Sequence, residues 1–402
     1  MQDPLIKNLR PPVRDLPMSG ILEVVNAGME KEGLIPLWTG ESHLPTPDFI
    51  CNAAYQSMQA GETFYTYQRG LPELRQALAD YHDRHFGREG RQFSSEEFFV
   101  TGSGMQAVQL AIQAIAGEGH EVIIPTPTWP NSISATTIAS GVPVELELRP
   151  PNTDTGEGWR LDLDDLRAAI TPKTRAININ SPANPTGWTA SLDELTEILE
   201  IAREHNIWII ADEVYHRFYY GDHAVNGRAP SFYDVMNEED QIVFVNTFSK
   251  NWAMTGWRIG WIAASPKLGQ VFENLIQFST SGVAAFMQRA AIVALNDGEN
   301  FIQSQIASIE KSRDVLCDAL QATGEVTFSV PDGAFYLLFS IDKLPNSREV
   351  ALRLIDEALI GLSPGSAFGK GGEPYLRACF ARSPKDVKFA SDALTNWLVQ
   401  EL

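Results

Sequence analysis

Five short apolar runs along the first two thirds of the chain constrain most strongly what it can fold into. Each is rich in Val, Ile or Phe and is bounded by Gly, Pro or polar residues; the runs are 98–101, 121–124, 176–180, 207–211 and 242–246. Runs of this length are too short for ordinary helices and are typical of strands that are buried on both faces of a parallel sheet.

Helical patterns separate these runs. Ser191-Leu-Asp-Glu194 is a capping box that predicts a helix from there to about residue 205, and 106–116 has the apolar periodicity of another helix. Alternating strands and helices predict an α/β fold with an open sheet, in which ligands bind at the carboxyl ends of the strands.

The pattern changes after about residue 290. Helices are predicted at 301–322, 347–358 and 385–402, and strands at 334–339 and 375–380. We therefore expect a large domain, residues 46–289, with a mostly parallel central sheet flanked by helices. A smaller α+β domain would combine residues 1–45 with residues 290–402.

The charge balance and the cysteines exclude several classes of protein. The chain has 402 residues with 31 basic and 51 acidic side chains, a net charge of -20, which disfavours nonspecific binding to nucleic acids or anionic membranes. Its three cysteines, Cys51, Cys317 and Cys379, show no C-x-x-C spacing, so neither a disulfide framework nor a zinc site is predicted. No signal core and no run of about 20 apolar residues is present, so we expect a cytoplasmic protein without a membrane span.

Lys250 lies in the segment 247–258, directly after the predicted strand 242–246. At the carboxyl end of a buried strand, apolar surroundings lower the pKa of an amine and make it a nucleophile for Schiff-base formation and a general base. A single loop lysine is more commonly a solvated surface residue, so this role needs support from other residues.

Asp212 follows the run 207–211 in the same way, and Tyr215 comes three residues later. A buried carboxylate keeps a pyridine nitrogen protonated, which pyridoxal phosphate (PLP) requires to act as an electron sink. The tyrosine hydroxyl can donate to the phenolic oxygen of the same ring. An acidic residue at a strand end can instead cap a helix or bind a metal.

Gly102-Ser103-Gly104 links the strand 98–101 to the helix 106–116. Glycines let the backbone approach a phosphate closely, and a helix N-terminus offers free N–H groups. The segment also matches the G-x-G-x-x-A dinucleotide fingerprint, so a nicotinamide-dependent oxidoreductase is an alternative. That alternative expects an acidic residue at the end of the following strand, which is instead followed by Pro125-Thr126-Pro127.

Trp129 and Asn184 each follow a predicted strand as well. A flat indole can stack on a pyridine ring, and an amide can hydrogen-bond to its phenolic oxygen or to a substrate carboxylate. Each residue also has an ordinary interpretation, as a core tryptophan and as a turn asparagine.

Motifs in these and other segments follow a fixed order from about residue 35 to the end of the chain. They are Tyr65-Thr-Tyr-Gln-Arg-Gly-Leu-Pro-Glu-Leu-Arg75, Thr101-Gly-Ser-Gly104, Pro127-Thr-Trp-Pro-Asn131, Asn184-Pro-Thr-Gly187, Asp212-Glu-Val-Tyr215, Ser249-Lys250, Met254-Thr-Gly-Trp-Arg258, Pro364-Gly-Ser-Ala-Phe-Gly369 and Tyr375-Leu-Arg377. In this order they resemble the class I/II PLP-dependent aminotransferases of fold type I, the aspartate aminotransferase superfamily.

The resemblance implies a set of cofactor contacts. Lys250 would carry PLP as a Schiff base and Asp212 would pair with the pyridine nitrogen. Tyr215 and Asn184 would contact the phenolic oxygen, and Trp129 would stack on the ring. The phosphate would be held by residues of three segments: Ser103, Gly104, Met105, Thr247, Ser249 and Arg258. Tyr65 would reach this phosphate from the partner subunit, which implies a homodimer with shared active sites.

The resemblance also implies the reaction. Arg377 matches the arginine that holds the substrate α-carboxylate, a task that suits its planar, bidentate donors; Gly40, Asn184 and Trp129 would add substrate contacts. An L-amino acid would pass its amino group to a 2-oxo acid in a ping-pong mechanism, with Lys250 moving the proton at Cα. Both substrates are small molecules, and neither a metal nor a nucleic acid is expected.

Two departures from the family pattern concern the amino donor. Met105 stands where some aspartate-using members have lysine, and the segment 278–286 offers no arginine for a side-chain carboxylate. We therefore expect neutral or aromatic donors to be preferred over aspartate. His43, near the expected substrate entrance, is either a specificity residue or a surface histidine.

Other fold type I enzymes could keep the same cofactor residues. The alternatives are a carbon–sulfur β-lyase, an aminocyclopropane-carboxylate synthase and a decarboxylase. A PLP-binding transcription regulator would need a DNA-binding extension. We expect the roughly 35 residues before the fold to be too few for one.

Overall fold

The computed structural model describes residues 4–152 and 155–402. Its strands are β1 (Ile35–Pro36), β2 (Phe98–Thr101), β3 (Glu121–Thr126), β4 (Val142–Glu147), β5 (Thr174–Asn180), β6 (Trp208–Asp212), β7 (Ile242–Thr247), β8 (Gly260–Ala263), β9 (Val326–Phe328), β10 (Tyr336–Ile341), β11 (Ile360–Gly361), β12 (Ser363–Pro364) and β13 (Tyr375–Cys379).

The α-helices are α1 (Pro4–Lys7), α2 (Pro11–Arg14), α3 (Gly20–Gly28), α4 (Asp48–Gln59), α5 (Pro72–Phe86), α6 (Gly104–Ile115), α7 (Asn131–Ile138), α8 (Leu163–Ala169), α9 (Leu192–His205), α10 (Phe232–Val235), α11 (Phe248–Asn251), α12 (Gly269–Ser279), α13 (Ala285–Asp297), α14 (Glu299–Gln321), α15 (Ser347–Glu357) and α16 (Pro384–Glu401). Short 3₁₀ turns lie at Ser95–Glu97, Thr255–Trp257, Pro266–Leu268 and Gly365–Phe368.

Seven strands form the central sheet, in the order β2-β8-β7-β6-β5-β3-β4. Strand β8 runs antiparallel to both of its neighbours, and the remaining adjacent pairs are parallel. The prediction of a mostly parallel central sheet is confirmed, and all five predicted strands lie in it.

The middle of the central sheet is buried on both faces because side chains along its strands alternate between two apolar cores. On β7, Val243 and Val245 pack in one core with Ala107 and Val108 of α6. Phe244 belongs to the other core, which includes side chains of α5 and α9. All residues of β7 are buried, so its continuous apolar sequence reflects helices packed on both faces.

The second sheet is antiparallel, in the order β12-β13-β10-β9. Helices α14, α15 and α16 share its core through Leu316, Leu354 and Leu394. Strand β1 pairs in parallel with β11, and Val24 of α3 packs in the same core, so the N-terminal segment joins the C-terminal part of the chain. The domain bounds 46–289, 1–45 and 290–402 stay a prediction, and their residues 1–3 and 153–154 lie outside the described residues.

Two further features follow from these elements. Considering residues 4–152 and 155–402, no helix is long and apolar enough to cross a membrane. Cys317 and Cys379 are buried, Cys51 is partly buried, and all three are free thiols.

Candidate active site

A cavity of about 350 Å³ opens where the central sheet meets the second sheet. Strands β5, β6 and β7 reach it with residues at their carboxyl ends, Asn180, Asp212 and Thr247. The second sheet contributes Tyr336 of β10, and the segment between β1 and α4 contributes Gly40. Polar groups from several elements therefore converge at the carboxyl edge of the sheet, where a ligand site is expected.

Lys250 lies on α11, the short helix that follows β7. Thr247 caps this helix, because its Oγ1 accepts a hydrogen bond from Ser249 N at 3.1 Å. Lys250 Nζ donates to Gly40 O at 2.7 Å, and Lys250 lines the cavity. Burial lowers the pKa of Lys250 to about 8, with the Arg377 cation acting in the same direction. Near that pH a large fraction of the amine is neutral, as a nucleophile or base requires.

Asp212 is the last residue of β6 and lines the cavity. Burial raises its pKa to about 7, while a hydrogen bond from the Val214 backbone and the charge of Lys250 lower it. Among the described residues, no hydrogen-bond partner reaches its buried Oδ1. A buried polar atom without a partner is costly, and a protonated ring nitrogen such as that of PLP would satisfy it. The carboxyl group therefore fits the cofactor.

Tyr215 and Asn184 line the same cavity. Tyr215 Oη lies 2.7 Å from Tyr336 Oη. Asn184 N donates to Asn180 Oδ1 at 2.9 Å, and Asn180 Nδ2 donates to Asp212 O at 3.0 Å. These hydrogen bonds fix the loops that follow β5 and β6 relative to each other.

The N-terminus of helix α6 offers free backbone N–H groups next to the cavity. Ser103 caps the helix by accepting a hydrogen bond from Gln106 N at 3.0 Å. Gly104 lies against the turn that follows β7, since a Cβ at position 104 would lie only 3.1 Å from Thr247 Cβ. Thr247 Oγ1 donates to Ser249 Oγ at 2.9 Å. Helix N–H groups beside two hydroxyls are a suitable set of donors for a phosphate.

Met105 and Arg258 also line the cavity. Arg258 is exposed and follows the turn Thr255–Trp257 in a left-handed backbone conformation, with φ at 52°. Its Nη1 donates to Thr255 O at 2.6 Å. Arg258 therefore adds a positive charge at the solvent side of the cavity, and Met105 adds an apolar surface.

Arg377 lies behind the cavity wall and is only 1% exposed. Its Nη1 donates to Asn184 Oδ1 at 3.1 Å, and its Nη2 donates to Ser363 Oγ at 3.1 Å and to the Trp38 carbonyl. Its guanidinium carbon lies 5.9 Å from the ring centroid of Trp129, which lines the cavity. The guanidinium is thus held in one orientation beside the cavity.

Two candidate residues from the sequence, Tyr65 and His43, do not line the cavity of a single chain. Tyr65 is 93% exposed and is not part of the cavity lining. It is surrounded in sequence by Phe64 and Tyr67, which are also exposed. The His43 side chain is likewise outside the lining, and His43 N donates to Ala381 O. A single subunit therefore does not bring Tyr65 to the other site residues.

The structure adds cavity residues that the sequence did not single out. Tyr336 lies in the predicted strand 334–339, and nothing in its local sequence indicates that its hydroxyl would meet Tyr215. Glu41 lines the cavity and accepts a hydrogen bond from Thr255 Oγ1 at 2.8 Å. Its position directly after Gly40, a predicted substrate contact, was the one available signal.

Comparisons with known proteins identify the family of the chain. The model of the family "Aminotransferase class I and II" matches residues 32–394. A probable aspartate/prephenate aminotransferase of Aquifex aeolicus is 35% identical over 87% of each chain, and aromatic-amino-acid aminotransferase 2 of Thermococcus litoralis is 32% identical over 92% of this chain and 93% of its own. The solved aspartate aminotransferase of Thermotoga maritima has a TM-score of 0.87 at 30% identity, covering 97% of this chain and 100% of that one. The chain therefore belongs to the class I and II aminotransferases and is a PLP-dependent transaminase.

Proposed function

We propose that this aminotransferase takes amino groups from neutral or aromatic L-amino acids in preference to aspartate, and that it works as a cytoplasmic homodimer. The observation that carries the donor preference is the charge of the cavity lining. Among the described residues that line the cavity, the cations are Lys250 and Arg258, and both are assigned here to the cofactor. Met105 and Trp129 leave apolar surface for the donor side chain.

The names of the relatives do not indicate one common amino donor. The Aquifex aeolicus protein is named for aspartate and prephenate, whereas the Thermococcus litoralis protein is named for aromatic amino acids. Both are similarly distant from this chain, so the residues of the cavity are the better guide to its donor.

The cofactor would be held at its ring and at its phosphate. Asp212 would bind the ring nitrogen, and Tyr215 and Asn184 would bind the phenolic oxygen. Trp129 would stack on the ring. The phosphate would be bound by donors at the N-terminus of α6 and in the turn after β7: Ser103, Gly104, Met105, Thr247, Ser249 and Arg258. When bound, PLP supplies an electron sink that stabilises negative charge at the substrate Cα.

The protein itself has to orient the substrate and move one proton. Arg377 would bind the substrate α-carboxylate with its planar donors, in an orientation that Asn184 and Ser363 already fix. Lys250 Nζ would remove the proton from the substrate Cα and deliver it to C4′ of the cofactor, a step that suits an amine with a pKa of about 8. Gly40 O, which accepts from Nζ, would keep this amine directed along one side of the cavity. The first 2-oxo acid leaves before the second binds, which gives a ping-pong mechanism.

A donor panel tests the proposed preference. With a fixed 2-oxo acid acceptor, we expect kcat/KM for phenylalanine, leucine or alanine to exceed that for aspartate by about tenfold or more. The reason is that both cations among the described lining residues, Lys250 and Arg258, are assigned to the cofactor, so a buried side-chain carboxylate would lack a partner. Met105→Lys should raise kcat/KM for aspartate and lower it for phenylalanine.

Met105→Leu is the matched control, since it keeps an apolar side chain of similar volume and should keep the wild-type order of donors. If aspartate is the best donor of the wild-type protein, the proposed preference is wrong.

The homodimer is supported by large aromatic side chains that a single subunit leaves exposed. Phe64 is 84% exposed, Tyr65 93% and Phe278 86%. Contiguous exposed apolar surface marks sites that bind other proteins, and Phe64 and Tyr65 are adjacent in sequence. A second subunit would cover them and would bring Tyr65 to the phosphate end of its partner's cavity.

A further inference from the structure

Two tyrosine hydroxyls meet where the central sheet and the second sheet adjoin. Tyr215 follows β6 and Tyr336 begins β10, and their Oη atoms lie 2.7 Å apart. The rings pack edge to face, with centroids 5.6 Å apart and planes at 90°. This contact joins a residue assigned to the cofactor with a residue of the second sheet that has no assigned role.

Tyr336 is held in place on all sides. It is fully buried and pairs with Cys379 across β10 and β13. The guanidinium carbon of Arg377 lies 4.7 Å from its ring centroid. Its hydroxyl lies so close to Gly40 that a Cβ at that position would clash with it. The Tyr336 hydroxyl therefore cannot leave Tyr215 without moving neighbouring parts of the site.

The contact between the two hydroxyls uses one hydroxyl hydrogen and leaves the other for a different acceptor. Within the part of the chain that the structure describes, Tyr215 Oη is the single hydrogen-bond partner of Tyr336 Oη, and either atom can be the donor. Both side chains line the cavity. When Tyr336 donates, the hydrogen of Tyr215 is free to point into the cavity. A hydroxyl that accepts a hydrogen bond also donates more strongly, because successive hydrogen bonds polarise one another.

We propose that Tyr336 is a positioning residue for transamination: its hydroxyl donates to Tyr215 and thereby directs the Tyr215 hydrogen to the phenolic oxygen of bound PLP. The inference rests on the cofactor contact proposed above for Tyr215. It gives the second sheet, which also carries Arg377, an influence on the cofactor through Tyr215.

The test is a double-mutant cycle in the PLP-loaded protein, with Tyr215→Phe, Tyr336→Phe and the double variant. One readout is the pH at which the visible absorbance band of the bound cofactor changes. The other is the dissociation constant for PLP, measured by tryptophan fluorescence. The titratable and charged groups around the hydroxyl pair are Asp212, Lys250, Arg377 and Cys379, and all four are unchanged in these variants.

Tyr220→Phe is the matched control. Its hydroxyl donates to Ala334 O at 2.7 Å, close in sequence to Tyr336, but Tyr220 is not part of the cavity lining. This control should keep the wild-type values of both readouts. If it reproduces the effect of Tyr336→Phe, the effect comes from packing near β10 and the proposal is wrong.

We expect Tyr336→Phe to move the absorbance transition to higher pH and to weaken PLP binding about two- to tenfold, because the charged phenolic oxygen loses part of its hydrogen bond. In the Tyr215→Phe background the same change should have no further effect. Equal effects in both backgrounds, or no effect of Tyr336→Phe in either, would overturn the inference alone. An unchanged Tyr215→Phe variant would overturn the proposed cofactor contact and the inference with it.

Discussion

At the scale of single residues, burial gives Asp212 and Lys250 charges that depend on pH in the physiological range. The pKa of Asp212 is raised to about 7 and that of Lys250 is lowered to about 8. Both shifts arise mainly because burial penalises the charged form. In the cofactor-free protein Asp212 is therefore a source of instability, which a protonated ring nitrogen would remove.

Asp212→Asn should change how stability depends on pH. In the unfolded chain Asp212 has an ordinary pKa near 3.8, below its folded value of about 7. Between these values the folded state binds more protons, so stability falls as pH rises and the loss is complete above the folded pKa. The cofactor-free variant lacks this loss. We expect the midpoint of thermal unfolding of the variant to lie about 2 °C or more above that of the wild type at pH 8. Near pH 4 the two midpoints should be equal.

Asp332→Asn is the matched control, because burial also raises the pKa of Asp332 and this residue is not part of the cavity lining. Added PLP should stabilise the wild type and this control strongly, and Asp212→Asn less. Equal stabilisation of all three by PLP would contradict the role of Asp212.

Some site residues could be predicted from the sequence because they lie in motifs at the ends of strands. Lys250, Asp212 and Asn184 each follow an apolar run, and the structure places all three at one cavity. The contact between Tyr215 and Tyr336 could not be predicted, because it depends on how two separate sheets pack. For the same reason the sequence did not indicate that Arg377 lies behind Asn184.

At the scale of secondary-structure elements, the sequence predicts best where local signals are strong. The capping box at Ser191 predicts helix α9, and both of its hydrogen bonds are present. The predicted strand 242–246 becomes β7, which is one residue longer. Local capping and continuous burial specify these elements without knowledge of the rest of the fold.

Strands β4 and β8 were missed for different reasons. β4 lies at the edge of the sheet, and its residues are only partly buried or exposed, so its sequence mixes polar and apolar residues. β8 has four residues and runs against its neighbours, which the alternation of strands and helices does not predict. The G-x-G-x-x-A pattern likewise was ambiguous, since a strand, turn and helix suit a dinucleotide as well as PLP.

At the scale of the whole molecule, the proposed dimer makes each active site depend on two chains. Tyr65 does not line the cavity of its own subunit, whereas Lys250 does. When one active site uses residues from two chains, a hybrid dimer of two different variant subunits can still contain one intact site.

A hybrid of Lys250→Ala and Tyr65→Ala subunits, isolated with two affinity tags, tests this arrangement. One of its two sites would combine the intact Lys250 of one chain with the intact Tyr65 of the other. We expect the hybrid to have about half of the wild-type activity per dimer, with both parent dimers far less active. A hybrid no more active than half of the Tyr65→Ala parent would show that Tyr65 does not act across the dimer.

The proposed role of Lys250 is to move the proton at the substrate Cα in the PLP-loaded enzyme. The most direct measurement is the absorbance spectrum of the PLP-loaded protein, recorded before and after addition of an L-amino acid without any 2-oxo acid. The wild type should convert its visible band to a near-ultraviolet band and release one 2-oxo acid, and Lys250→Ala should convert at least about 100-fold more slowly. Conversion of Lys250→Ala at the wild-type rate, or a persistent visible band with ammonia released, would contradict this account.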